Sequence, residues 1–155
     1  MGPRPRPGVW DGDEPLIVAA GRAHLATCEA LPDACSQLAI THLASEERHE
    51  VAVPRGGEFA LRTAAFSPDD SRLAVPVHRR GRVEVMITHV EGLARTIALD
   101  VEGVPQLAWH PTLPWLFIAA DGRLLAVPPD ADEARLVTDD LPEQLYGIAV
   151  TDPAA

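Results

Sequence analysis

Two of the six histidines in this chain recur in the same tripeptide. Histidine titrates near neutral pH and is a common metal ligand, so its placement is a first guide to possible chemistry. Ile40-Thr41-His42 returns 47 residues later as Ile87-Thr88-His89. This spacing predicts equivalent positions for His42 and His89 on one rim of neighbouring repeats, where they could bind a metal or a ligand. Equivalent rim positions usually lie well apart, so the capping of two turns is the favoured alternative.

The two cysteines, Cys28 and Cys35, are candidates for a disulfide. If the segments on either side of residues 29–34 form a hairpin, the two thiols face each other at its mouth, at a distance that permits the bond. The alternative is a pair of reduced thiols, which is usual in the cytoplasm. One C-x6-C pair without a second pair is a poor zinc signal, so the sequence predicts no metal site.

Arg79-Arg80-Gly81-Arg82 concentrates three positive charges in four residues. Guanidinium groups bind carboxylates and phosphates, so Arg79, Arg80 and Arg82 are candidate contacts to an acidic partner or a phosphate. The favoured alternative is an ordinary exposed hairpin tip. The sequence contains no nucleotide-binding, nucleophile-elbow or zinc-protease motif and offers no catalytic triad. We therefore expect no catalytic residue and no cofactor, and lean towards a protein that is not an enzyme.

The composition excludes several functional classes. The chain has 155 residues, which fits one domain, and 23 acidic against 13 basic residues give a net charge of −10. All 13 basic residues are arginine, so Schiff-base or general-base chemistry by lysine is excluded. An acidic chain lacks the positive surface that holds a phosphate backbone, so no nucleic acid partner is expected. The absence of Lys and Asn, whose codons are A-rich, indicates a GC-rich bacterial genome.

The elements that carry these residues are predicted to be strands of a repeat. Ala65-Phe66-Ser67-Pro68 recurs as Ala108-Trp109-His110-Pro111, 43 residues later. Spacings of 40 to 47 residues match one four-stranded propeller blade. The alternation of apolar and polar residues over 82–88 is typical of a strand. The sequence therefore predicts an all-β fold of about three four-stranded antiparallel blades.

We expect one extra strand over 145–150 after the three blades. The alternative to a strand near residue 40 is a helix over 33–48, where Pro32-Asp33 resembles an N-cap, but its acidic C-terminal end would oppose the helix dipole. The expected strands are 15–20, 22–28, 35–42 and 48–54 in blade one, then 59–66, 72–77, 82–88 and 94–99 in blade two, then 104–110, 115–120, 123–127 and 134–138 in blade three.

The segment 66–75, Phe-Ser-Pro-Asp-Asp-Ser-Arg-Leu-Ala-Val, resembles the signature of TolB-like and WD-repeat β-propellers. Residues 109–118 resemble a diverged second copy, and the likeness extends over about 35–150. Asp70 stands where these families usually have glycine, and the Gly-His and Trp-Asp dipeptides of WD repeats are missing from the blades. The resemblance implies the fold and is nearly silent on activity, because propellers host many functions.

Three blades and one strand are too few to close a ring. We therefore expect an incomplete propeller that is closed by oligomerisation, with a homodimer as the hypothesis. A piece of a larger propeller and an irregular barrel-like domain are the alternatives. The function expected is a non-enzymatic module for protein–protein interaction or assembly. The alternative is a ligand-binding or hydrolytic propeller whose site forms at the central channel on oligomerisation.

The two ends of the chain are expected to be tails around a folded unit at 15–150. Residues 1–14 are rich in proline and should be extended, and residues 151–155 form a short second tail. The longest apolar run, 113–120, is too short to cross a bilayer, so no membrane insertion is expected. The absence of a signal peptide predicts a cytoplasmic protein. A removed anchor or a Cys28–Cys35 bridge would indicate an extracytoplasmic one.

Overall fold

The computed structural model describes residues 16–28, 37–52, 57–59, 63–90, 94–142, 148–149 and 151. These residues form 13 β-strands and contain no α-helix. The strands form three separate antiparallel sheets, so the all-β prediction is confirmed.

Sheet 1 contains the first four strands in chain order, each antiparallel to the next. Residues 37–42 form a strand, so the helix alternative is wrong there, because the β-ladders on both sides take the backbone groups that a helix would use internally. The strands are β1 (Leu16–Ala20), β2 (His24–Cys28), β3 (Gln37–His42) and β4 (Arg48–Ala52).

Sheet 2 has five strands, of which the first two both pair with the third. The sequence predicted one continuous strand over 59–66, and the structure has two short ones instead. Phe59 and Ala65 are six positions apart, whereas their partners on the neighbouring strand are three positions apart, so the extra residues interrupt the ladder. The strands are β5 (Gly57–Phe59), β6 (Ala65–Phe66), β7 (Arg72–Arg79), β8 (Arg82–His89) and β9 (Ala94–Leu99).

Sheet 3 again has four strands in chain order. Turn residues with positive φ stand between its second and third strands, where Asp121 has φ 53° and Gly122 has φ 76°. These angles suit a two-residue hairpin turn, whose twist matches that of the flanking strands. The strands are β10 (Gln106–Trp109), β11 (Leu116–Ala120), β12 (Arg123–Val127) and β13 (Arg135–Thr138).

The three sheets stack in chain order through two hydrophobic cores. One core lies between sheets 1 and 2 and includes Leu38, Ile40 and Val75. The other lies between sheets 2 and 3 and includes Val85 and Ile118. Alternate residues of the sheet 2 strands point to opposite faces, so sheet 2 contributes one face to each core. The sheets are therefore layers of one stack, with sheet 2 in the middle.

Trp109 joins sheets 2 and 3 by packing and by one hydrogen bond. Its ring lies in the core between these sheets, and its Nε1–H donates to the carbonyl oxygen of Ala65 at 2.9 Å. Phe66 occupies the corresponding place at the boundary between sheets 1 and 2, where it packs against that core. The aromatic residue before each Ser-Pro or His-Pro turn thus fills space between adjacent sheets.

Several predictions fall outside the described residues and stay predictions. These are the tail at 1–14, nearly all of the tail at 151–155, and Cys35 with the start of its predicted strand at 35–42. Of the predicted strand at 145–150, only Ile148 and Ala149 are described, and neither has a strand assignment.

Candidate functional site

The turn at residues 67–72 is held by its own side chains. Ser67 Oγ donates to Asp69 Oδ1 at 2.7 Å, and the backbone N–H of Ser71 donates to the same oxygen at 3.0 Å. These hydrogen bonds, led by that from Ser67, lower the pKa of Asp69. The backbone N–H of Ser67 donates to the carbonyl of Arg72, which closes the turn. Asp69 therefore acts as a turn cap.

The repeat at an offset of 43 is visible in the turn before β11. The backbone N–H of His110 donates to the carbonyl of Trp115, as Ser67 does to Arg72. His110 Nδ1 takes over the capping and accepts the backbone N–H groups of Thr112 and Leu113 at 3.1 and 3.0 Å. His110 is therefore a turn residue, at the position that corresponds to Ser67.

Asp70 links sheet 2 to sheet 1. Its carboxylate accepts the backbone N–H groups of Arg22 and Ala23 at 2.8 and 2.9 Å, in the turn between β1 and β2. His24 Nδ1 lies 2.7 Å from Asp70 Oδ2 and supplies the proton, since the carboxylate only accepts. Burial acts to raise the pKa of Asp70, but the hydrogen bonds from His24 and the two backbone groups outweigh it and lower the pKa.

Gly21 provides the space that this link needs. A Cβ atom at position 21 would overlap the Asp70 carboxylate. Asp70 itself has φ 65°, a backbone region that aspartate tolerates better than most residues. The sequence marked Asp70 only as a departure from the glycine usual in the resembling families. An aspartate in a turn position that favours glycine indicated a role for this side chain, but nothing local indicated its partners.

A similar but more exposed contact joins sheet 3 to the loop that connects sheets 2 and 3. Asp121 accepts the backbone N–H groups of Glu102 and Gly103 at 2.7 and 3.1 Å. A Cβ at Gly103 would come within 2.8 Å of Asp121 Oδ1. Each pair of neighbouring sheets therefore has one aspartate, Asp70 or Asp121, that accepts hydrogen bonds from the backbone of an adjacent loop.

A cavity of about 320 Å³ beside Asp70 brings several polar side chains together. The rings of His24 and His42 meet edge to face with centroids 4.9 Å apart. His42 Nδ1 accepts the backbone N–H of Ser45 at 3.1 Å and lies 3.0 Å from Ser45 Oγ. Ser45 Oγ also accepts the backbone N–H of Glu47, so these groups cap the turn after β3. The cavity is lined by His24, His42, Ser45, Glu47, His49 and Val90.

The cavity beside His42 does not include His89. His42 ends β3, opposite His24, and His89 ends β8, opposite Arg72. From the neighbouring sheet, the cavity includes Val90. Among the residues that the structure describes, no three His, Cys, Asp or Glu side chains are placed to hold a metal ion.

Cys28 is buried at the end of β2, opposite Leu38 in the ladder. Its position at the mouth of the β2–β3 hairpin is the one that the sequence predicted. Because Cys35 is outside the described residues, the disulfide stays a prediction.

The three arginines surround the turn between β7 and β8. Arg79 Nη2 donates to Glu84 Oε1 at 2.5 Å, while Arg80 and Arg82 are exposed. A cavity of about 580 Å³ is lined by these three arginines and Glu84. The sequence identified the arginines, but it gave no signal that Glu84, which alternates with the apolar residues of β8, would join them.

The outer face of sheet 3 is mostly apolar, whereas that of sheet 1 combines apolar residues with Gln37, Arg48 and Glu50. Phe117 lies between two core residues of β11, so it points away from sheet 2, and its ladder partner Ala126 shares that face. Leu124 and Ala119 form the next pair on the same face. Ile17 lies on the corresponding outer face of sheet 1 and is 64% exposed. No other sheet of the described residues packs on either of these faces.

Comparison with models of known protein families finds no match, and comparison with curated proteins finds none either. Within the described residues, no helix is long and apolar enough to cross a membrane. The arguments on function therefore rest on the geometry described above.

Proposed function

We propose that this chain is a non-enzymatic, β-propeller-like module that acts in protein assembly, and that two copies close one ring. The observation that supports this is that no described sheet covers the outer face at either end of the stack. Each inner face is covered by another sheet of the same chain, whereas the outer face of sheet 3 carries Phe117 and Leu124, and that of sheet 1 carries Ile17 beside the polar residues Arg48 and Glu50.

A second copy of the chain is the partner that can cover both ends at once. The outer face of sheet 3 in each copy would pack on the outer face of sheet 1 in the other, and the two equal contacts close the assembly. Exposed apolar surface of this kind marks interaction sites in soluble proteins.

The area of these faces is sufficient for association. Four strands about 4.8 Å apart, each about five residues long, cover about 320 Å² per face. Two such contacts would bury roughly 1,300 Å² in total, which falls within the usual range of stable interfaces. The proposal therefore requires no surface beyond the two sheets already described.

Sedimentation equilibrium at micromolar concentration tests the proposal. We expect a dimer for the natural chain and a monomer for Phe117→Glu, because a carboxylate on the outer face would be buried without a partner. Val104→Arg is the matched control, since Val104 is 53% exposed but lies in the loop before β10. It should leave the dimer intact. A folded monomer of the natural chain at this concentration would overturn the proposal.

A further inference from the structure

The arginine hairpin combines unpaired positive charge with a buried negative group. Arg79 and Arg82 are directly opposite each other in the β7–β8 ladder, an arrangement that is unfavourable for like charges. Arg79 is paired with Glu84, but Arg80 and Arg82 make no ion pair with any described residue. Two guanidinium groups are thus available to an anion at the wall of one cavity.

Glu84 has a carboxylate oxygen without a partner. The residue is 9% exposed, and its Oε1 accepts from Arg79. Its Oε2 is buried and has no hydrogen-bond partner. A buried acceptor without a donor is unfavourable, and nearly all such atoms in folded proteins are satisfied. The cavity therefore has arginine donors together with one acceptor that lacks its own donor.

We propose that this cavity binds a small oxyanion that also carries hydroxyl groups. The phosphate or carboxylate group of the ligand accepts hydrogen bonds from Arg80 and Arg82, and a hydroxyl group donates to Glu84 Oε2 once the Glu84 carboxylate turns towards the cavity. Arg79 is held in place by Glu84 and completes the positive wall. This site is independent of the assembly proposed above, because it lies at a hairpin turn of the middle sheet.

The size of the cavity and the charge of the chain favour a small ligand. About 580 Å³ falls in the range of small-molecule sites. A polyanion would meet the net charge of −10 on the rest of the chain. A small anion responds mainly to the local arginines, because charges are screened beyond about 8 Å at physiological salt.

Titration calorimetry with four probes tests the proposal: glucose 6-phosphate, inorganic phosphate, gluconate and acetate. We expect each hydroxylated anion to bind roughly tenfold more tightly than its simple counterpart, as one added hydrogen bond to a charged group allows. Whether the phosphate or the carboxylate pair binds more tightly identifies the oxyanion that the site prefers, and either result supports the proposal.

Two variants locate the binding. The double variant Arg80→Gln/Arg82→Gln should lose binding of all four probes, whereas Arg135→Gln, an exposed arginine on β13, should retain it. Glu84→Gln should retain binding of inorganic phosphate and lose the tenfold preference for the hydroxylated anion. The proposal is overturned if no probe binds at concentrations on the order of 10 mM, or if simple and hydroxylated anions bind equally. It is also overturned if the double variant binds the probes as tightly as the natural chain does.

Discussion

Replacing Asp70 with alanine should strongly destabilise the protein, because this turn residue links sheet 2 to sheet 1. Its carboxylate accepts three hydrogen bonds from sheet 1, two from backbone N–H groups and one from His24. The His24 and Asp70 side chains are 15% and 8% exposed, so water replaces the lost contacts poorly. Arg22 is exposed, and its N–H group regains a water partner.

The expected cost follows from the two hydrogen bonds that water does not replace. Each hydrogen bond to a charged group contributes roughly 1.5 kcal/mol or more, so Asp70→Ala should lower the free energy of unfolding by about 3 kcal/mol. For a chain of this size, that corresponds to a fall in Tm of about 6–12 °C. Asp70→Asn keeps one carbonyl oxygen and tolerates the positive φ, so its cost should be intermediate.

Urea unfolding followed by circular dichroism measures these differences, with Asp121→Ala as the matched control. Asp121 also accepts two backbone N–H groups across a sheet boundary, but it is exposed, so its loss should cost about 0.5–1 kcal/mol. If Asp70→Ala costs no more than Asp121→Ala, the link between sheets 1 and 2 does not have the role assigned to it here.

Three further predictions concern the Gly21–Asp70 contact, the two turn aspartates and the Trp109 ring. Gly21→Ala should lower the free energy of unfolding by a similar amount to Asp70→Ala, because the new methyl group displaces the carboxylate. The double variant should therefore be little less stable than either single variant, and fully additive shifts of the urea midpoint would contradict this. The pKa values of Asp69 and Asp70 are lowered by folding, so their contribution to stability is present above about pH 4 and is lost as the pH falls through the lower folded values. The free energy of unfolding should fall below pH 4, less steeply in Asp70→Asn, and equal slopes for the two proteins would refute the assignment. Trp109→Phe should cost about 1 kcal/mol through loss of the hydrogen bond to Ala65, against about 3–5 kcal/mol for Trp109→Ala, as thermal unfolding can measure; equal costs would show that the ring packing contributes little.

The repeats in the sequence were sufficient to predict most strands. Ile40-Thr41-His42 and Ile87-Thr88-His89 each end a strand, β3 and β8 respectively. Apolar periodicity and turn residues encode these elements locally, so they are readable without the fold. The break between β5 and β6 was not predicted, because a ladder irregularity depends on the partner strand.

The candidate sites were predicted less completely than the strands. Arg79, Arg80 and Arg82 are neighbours in sequence, so their cluster was evident. The partner groups were not, because Asp70 contacts residues 46 to 48 positions away and nothing local marks that pairing. The outer face with Phe117 was also missed, since an apolar strand such as β11 gives no indication of which face lacks a covering sheet.

The series arrangement of the sheets has a consequence for how the molecule opens. Sheets 1 and 3 share no core residues, because each packs only on its own face of sheet 2. Loss of sheet 1 would leave the core between sheets 2 and 3 intact, as in solenoids whose units contact only their neighbours. Native-state hydrogen exchange should therefore resolve two cooperative units: the amides of β2 and β3 should exchange through one opening, and those of β11 and β12 through another.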